Sequence, residues 1–188
     1  MALPRYDRTK RKKTFERLPK GAYVICIKDV KEEENSSKIG THLTIIFDIA
    51  EGDYKDIYQR RYDEMPSEDK KWPHEGIHYL TVPGDNSAQF IWDNWNTFFA
   101  DLEDSNNGYV FNGDLKTLKG KLIGGKFAIE QREYNGQIYD STRLRWTCVA
   151  DDVREGKAGK LPNDKLVKPA VSQGFVPVDE NTDEELPF

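Results

Sequence analysis

Residues 121–149 read KLIGGKFAIEQREYNGQIYDSTRLRWTCV, and this stretch decides the fold. Asn135-Gly136 at its centre is the strongest short hairpin signal, because both residues accept positive φ. Apolar and polar residues alternate on either side, which is the period of a pleated strand. Residues 121–134 therefore read as one long strand and 137–149 as its return. Gly124-Gly125 marks an expected bulge or bend. In the return strand, Ile138, Leu144, Trp146 and Cys148 share one parity and are expected inside. Tyr139, Ser141, Arg143, Arg145 and Thr147 share the other. Across the turn, Phe127 and Ile129 point one way and Lys126, Arg132 and Tyr134 the other. The outward face thus gathers Lys126, Arg132, Arg143 and Arg145 with Tyr134 and Tyr139.

Upstream of the hairpin the same period recurs. After Leu18-Pro19-Lys20-Gly21, the residues Tyr23, Ile25 and Ile27 alternate with their neighbours. An acidic turn holding Asn35-Ser36-Ser37 and Gly40 separates them from Leu43, Ile45, Phe47 and Ile49. Residues 54–62 read as a third strand, with Tyr54, Asp56, Tyr58, Arg60 and Tyr62 on one parity and Arg61 beside them. A polar loop with Pro66 and Pro73 leads to a short strand at 77–82; whether 54–82 makes one strand or two stays open. The period then changes. Ile91, Trp95, Phe98, Phe99 and Leu102 fall on one helical face, with Asn86 or Ser87 as the expected cap and Asn106-Asn107-Gly108 as the stop. Five strands with one helix between the third and fourth is the order of a mainly β OB-fold barrel.

A chain of 188 residues, 37% hydrophobic and 32% charged, fits one domain with a modest core plus appendages. The expected division is a basic arm at 1–17, an OB-fold domain at 18–155, and a flexible linker with an acidic tail at 156–188. Residues 1–20 carry eight bases and two acids, and residues 171–188 carry five acids and no base. Opposite charge at the two ends suggests two kinds of partner. No apolar run is long enough to cross a membrane, and the first residues lack the apolar core of a signal peptide. The two cysteines, Cys26 and Cys148, sit in alternating apolar stretches, so neither a disulfide scaffold nor a cysteine zinc site is expected, and a cytoplasmic setting is.

Arginine interleaved with tyrosine on a sheet face suits single-stranded nucleic acid. Unpaired bases stack on the rings, and guanidinium groups hold phosphates or stack as well. The candidate contacts are Tyr58, Arg60, Arg61, Tyr62, Lys126, Arg132, Tyr134, Tyr139, Arg143 and Arg145. RNA stays open as a ligand, since Tyr and Arg do not by themselves sense a 2′-OH. A competing motif is His74-Glu75-Gly76-Ile77-His78, the H-E-x-x-H spacing of zinc peptidases. That chemistry needs both histidines one helical turn apart, with Glu75 as base. Pro73, Gly76 and the strand-favouring Tyr79-Leu80-Thr81-Val82 argue against a helix there. A third reading is an adaptor whose barrel binds protein. No magnesium or other cofactor is expected, because the acidic pairs come without a glycine-rich phosphate loop.

The last six residues are Asp183-Glu184-Glu185-Leu186-Pro187-Phe188. Acids followed by an apolar anchor and a carboxylate make a compact docking peptide. The segment resembles the acidic tip of bacterial single-stranded DNA-binding proteins, which ends in acids and Ile/Leu-Pro-Phe. The tract from Leu18-Pro19-Lys20-Gly21 through Leu118-Lys119-Gly120-Lys121 to Arg132-Glu133-Tyr134-Asn135-Gly136 is similar to OB-type proteins of Gram-positive phages and integrated elements. This resemblance implies a non-enzymatic protein of a phage or mobile element. Its OB domain would coat single-stranded DNA at the nucleoid, and its tip would recruit replication, recombination or repair enzymes. The linker lacks the long Gly/Gln-rich stretch of the housekeeping proteins, and self-association stays open.

Overall fold

In the computed structural model, which describes residues 16–35, 40–66 and 70–167, the alternating stretches form one antiparallel sheet. Its strands are β1 (Gly21–Asn35), β2 (Gly40–Ile49), β3 (Ile77–Thr81), β4 (Leu122–Tyr134) and β5 (Gln137–Cys148). They lie in the order β3-β2-β1-β4-β5. Three helices accompany them: α1 (Ile57–Asp63), α2 (Gln89–Asp104) and α3 (Ala150–Arg154). Most of the basic arm (residues 1–15) and the tip Asp183–Phe188 lie outside the described residues.

β1 serves two neighbours. Its first part, Gly21 to Cys26, pairs with β4, and from Ile25 onward it pairs with β2. The β2 register slips between Ile27 and Asp29, so Lys28 is an extra residue that bends the strand between its two duties. The edge strands β3 and β5 are not neighbours in the ladder, but α2 touches both. The inward parity is filled as its pattern requires. Ile25, Ile27, Leu43, Ile45, Phe47, Ile49, Ile123 and Phe127 are all buried, with Phe98 and Leu102 of α2 and Leu118 against them. Phe47 meets Phe127 and Tyr58 edge-on, with ring centroids 5.9 Å apart in both pairs, a favoured aromatic geometry.

Residues 54–62 overturn the expectation of a third strand. The chain turns at Asp56, whose φ is 55°, and enters α1. The cause lies in β2. The buried carboxylate of Asp48 accepts the backbone N–H groups of Ile49, Tyr58 and Gln59, so a partner distant in sequence caps the helix. Tyr54, Tyr58 and Tyr62 are four residues apart, a spacing that satisfies a strand parity and a helix face equally. The third strand is instead the short Ile77–Thr81.

Two smaller corrections concern caps and bulges. Neither Asn86 nor Ser87 caps α2, which begins after Ala88 without a side-chain cap; the Ser87 hydroxyl accepts the Gly84 N–H instead. The bulge in the hairpin falls one residue beyond the glycines. Lys126 opposes Trp146 while Phe127 opposes Leu144, so Arg145 is the extra residue. Gly124 and Gly125 serve close approach: a Cβ on Gly125 would lie 2.7 Å from Leu144 Cδ1. The bulge reverses the parity beyond it, so Trp146, expected inside, is 52% exposed. Ile138, near the hairpin tip, is exposed as well.

The stretch expected as flexible linker from 156 begins with a held segment. Lys165 exchanges backbone hydrogen bonds with Ile129 and Gln131, and the Asp164 carboxylate accepts the Ile129 N–H. The segment lies along β4 where β1 no longer covers that edge.

Candidate functional site

The β4–β5 hairpin forms because Asn135 and Gly136 adopt φ values of 52° and 73°, the paired positive φ of a tight hairpin turn. Its register then sets a row of side chains on one face. Lys126 opposes Trp146, Ala128 opposes Arg143, Glu130 opposes Ser141, Arg132 opposes Tyr139, and Tyr134 opposes Gln137. From Lys126 to Tyr134 the row runs roughly 27 Å at strand rise. Tyr134 and Tyr139 are 68% and 51% exposed. The sheet therefore presents two rings to solvent at the turn end, with Arg132 opposite Tyr139 and further cations along the row.

Glu130, which the sequence reading passed over, organises those cations. Its carboxylate is buried and accepts from Arg132 at 3.0 Å, with Arg145 at 3.5 Å and Lys165 at 3.8 Å. Burial alone would raise its pKa. The Arg132 hydrogen bond and the charges of Arg132, Lys165 and Arg143 outweigh burial and hold it below the ordinary value. One anion thus gathers several cations, in the way a strand phosphate would.

Arg143 keeps its place in the row by register but is covered there. It is 8% exposed, and its guanidinium donates to the carbonyl oxygens of His74 and Ile77 and contacts His74 Nδ1. It therefore ties β5 to the start of β3. Burial lowers its pKa, with Glu130 acting in the opposite direction. The bonds to the His74 and Ile77 carbonyls engage its guanidinium in positioning the hairpin.

The candidates on α1 divide. Tyr58 is 1% exposed, its hydroxyl is buried without a hydrogen-bond partner, and it cannot stack on a base. Arg61 pairs with Glu75 at 3.5 Å. Tyr62 lies against Trp72, with Lys70 Nζ 5.0 Å from its ring centre. Arg60 is exposed. α1 packs on β2, so these side chains do not extend the hairpin row.

The H-E-x-x-H spacing does not form the helix that zinc chemistry needs. His74–Gly76 is a single 3-10 turn and His78 lies in β3. Burial, with Arg143 and Arg145 nearby, brings the His78 imidazole down to about 4, and partial burial beside Arg143 lowers His74 too. Among the described residues, no three His, Cys, Asp or Glu side chains gather as a metal-binding group. No helix of the described residues is long and apolar enough to cross a membrane.

Among the described residues, four exposed aromatics escaped the sequence reading: Tyr79 on β3, Phe90 and Trp92 on α2, and Trp146 on β5. Phe90 could have been found, since it lies off the Ile91–Trp95–Phe98–Leu102 stripe. Trp146 could not, because its exposure depends on the bulge at Arg145. No family model matches the sequence, and no curated protein matches it.

Proposed function

We propose that this chain binds and protects single-stranded DNA without strong sequence preference, through an OB-type domain. The observation that supports this reading is the hairpin row, in which exposed Tyr134 and Tyr139 lie at the turn end and the cations gathered around Glu130 continue the row from them. Stacking on such rings is indifferent to base identity, and each stacked base contributes about 1–3 kcal/mol. Arg132, Arg145, Lys126 and Lys165 supply the backbone electrostatics, in which phosphate displaces Glu130 from the guanidinium groups. The strand order, with β3 and β5 as edges joined through Arg143, is compatible with an OB barrel that parts between those strands. The reading assigns no catalytic step and no cofactor.

The tip Asp183–Phe188 adds recruitment of replication, recombination or repair enzymes, with Phe188 as the anchor and the acids meeting a basic rim. A phage or mobile-element origin and action at the nucleoid belong to the same reading.

The test is a titration of intrinsic Trp fluorescence with oligo-dT, duplex DNA and RNA. The reading expects quenching of exposed Trp146 by oligo-dT, with weaker binding of duplex. An unchanged signal together with no retained oligonucleotide on a filter overturns it, and favours the protein adaptor. For the tip, a pull-down with full-length protein and protein lacking residues 183–188 should lose genome-maintenance enzymes on truncation. Identical partner sets would remove that role.

A further inference from the structure

At the Trp146 end of the hairpin row the surface opens into a cleft between β3, β5 and the first turns of α2, with a volume of about 280 Å³. Its floor is in part apolar, with Leu80 and Phe98 both buried, and in part polar, with His78, Thr81, Thr97 and Thr147. Its rim carries Phe90 and Trp146, two large rings that stand 64% and 52% exposed. Among the described residues neither of these rings meets another ring. A well-packed soluble surface rarely leaves two such rings facing one cavity without an occupant. Asn94 brings an amide donor and acceptor to the same cleft, and Arg145 brings a guanidinium.

These features restrict the occupant. The volume lies near the lower end of small-ligand sites, roughly 300–1,000 Å³, and accommodates one ring system rather than a stacked pair. Aromatic walls over a partly apolar floor suit a flat face. The amide suits a group with its own donors and acceptors on the edge. Arg145, paired with Glu130 at 3.5 Å, can exchange that carboxylate for an anion attached to the group. Lys126, opposite Trp146 in the ladder, adds a second cation at the same end. A heteroaromatic base carrying a phosphate meets all of these conditions. An aliphatic chain leaves Asn94 and Arg145 unused, and an acidic peptide leaves the rings unused.

We propose that the cleft takes one unstacked base of the bound strand, seated between Phe90 and Trp146, with its phosphate on Arg145. The inference rests on the hairpin being a single-strand surface and adds a discrete subsite at one end of it. The bulge at Arg145 is what builds the subsite, since it turns Trp146 out of the core and toward α2. Because the Asn94 amide adds a donor and an acceptor at the cleft, this one position carries a base preference within an otherwise tolerant interface.

Phe90→Ala gives the cleanest test, because the side chain is exposed and lies outside the hairpin row. The full-length variant and wild type are titrated with oligo-dT and with oligonucleotides of the other three bases. The expected result is binding at least about fivefold weaker, the lower bound for one lost stacking contact, with the salt slope unchanged. Asn94→Ala should narrow the spread of affinities among the four oligonucleotides. In parallel, an oligonucleotide carrying 5-iodouracil should cross-link to the peptide holding Phe90 or to the one holding Trp146. Wild-type affinity in Phe90→Ala, with cross-links confined to the hairpin tip, removes the subsite and leaves single-strand binding standing. Failure of the wild type to bind any of the oligonucleotides overturns the hairpin reading, and the subsite with it.

Discussion

Asp48 and Glu130 are both buried carboxylates on one sheet, 0% and 6% exposed, and they are satisfied in opposite ways. Asp48 directs its oxygens at the backbone N–H groups of Ile49, Tyr58 and Gln59. Glu130 directs its oxygens at Arg132, Arg145 and Lys165. Backbone N–H groups are fixed and cannot be offered to anything else while α1 stands. Side-chain cations swing, and a second anion can compete for them. The first arrangement therefore locks a helix to a strand, whereas the second stores cations at a surface. Their titration differs accordingly. Burial raises Asp48 despite its three backbone donors, while the cations around Glu130 overcome burial and lower it.

The largest effect expected from this contrast is on stability. Asp48→Ala leaves three backbone N–H groups without their acceptor and should cost about 3 kcal/mol, near 1 kcal/mol for each bond, measured by urea unfolding. A loss under about 1 kcal/mol would show that packing of Ile57 and Tyr58 alone holds α1. Arg143→Ala comes next. It removes the link from β5 to the His74 and Ile77 carbonyls and should cost about 2 kcal/mol of stability, in the range for hydrogen bonds to charged groups. A change in oligonucleotide salt slope with full stability retained would instead place Arg143 among the phosphate contacts.

Smaller effects should appear in binding. Tyr134→Ala and Tyr139→Ala should each weaken oligo-dT binding by about fivefold or more without changing the salt slope, as read by fluorescence at several salt concentrations. Equal affinity for wild type and both variants would remove the rings from the interface. The smallest effect is that of Glu130→Gln. Freed cations should bind oligo-dT a few times more tightly with a steeper salt dependence, roughly one further phosphate contact. This substitution also separates the two carboxylates by pH. The folded pKa of Glu130 lies below its unfolded value, near 4.3, so its contribution is complete above that value and is lost as pH falls. The folded pKa of Asp48 lies above its unfolded value, near 3.9, so its contribution is complete below that value and is lost as pH rises. Urea midpoints between about pH 3 and 6 should therefore give a wild-type advantage that grows with pH over Glu130→Gln and shrinks over Asp48→Asn. Parallel trends would contradict the distinction.

What the sequence discloses and what it conceals follow the same physical line. The β4–β5 hairpin is legible because its signal is local: Asn135-Gly136 specifies the turn, and alternation specifies the register faces up to Leu144, although Ile138 near the tip is exposed and Arg143 is covered by the segment before β3. The α2 stripe of Ile91, Trp95, Phe98 and Leu102 is legible for the same reason. The α1 helix is concealed because its cap, Asp48, comes from another strand, and because a four-residue spacing of tyrosines fits both periods. Trp146 is concealed because one extra residue, Arg145, reverses parity, and nothing local marks which residue will bulge. Of the proposed interface, Arg132, Tyr134, Tyr139 and Arg145 are legible as an outward row. Glu130 is overlooked because an acid in a basic row reads as a solvated charge until its burial is seen.

The hairpin cations are proposed to hold phosphates of a single strand, and the salt dependence of oligo-dT binding is the sharpest test of that role. The measurement compares wild type with the double variant Arg132→Ala/Arg145→Ala, both checked for equal folded stability. Each lost phosphate contact removes about 0.7 from the slope of log affinity against log salt. The slope should be shallower by about 1.4 in the double variant, with weaker binding at low salt. An identical slope and affinity in the two proteins would contradict it.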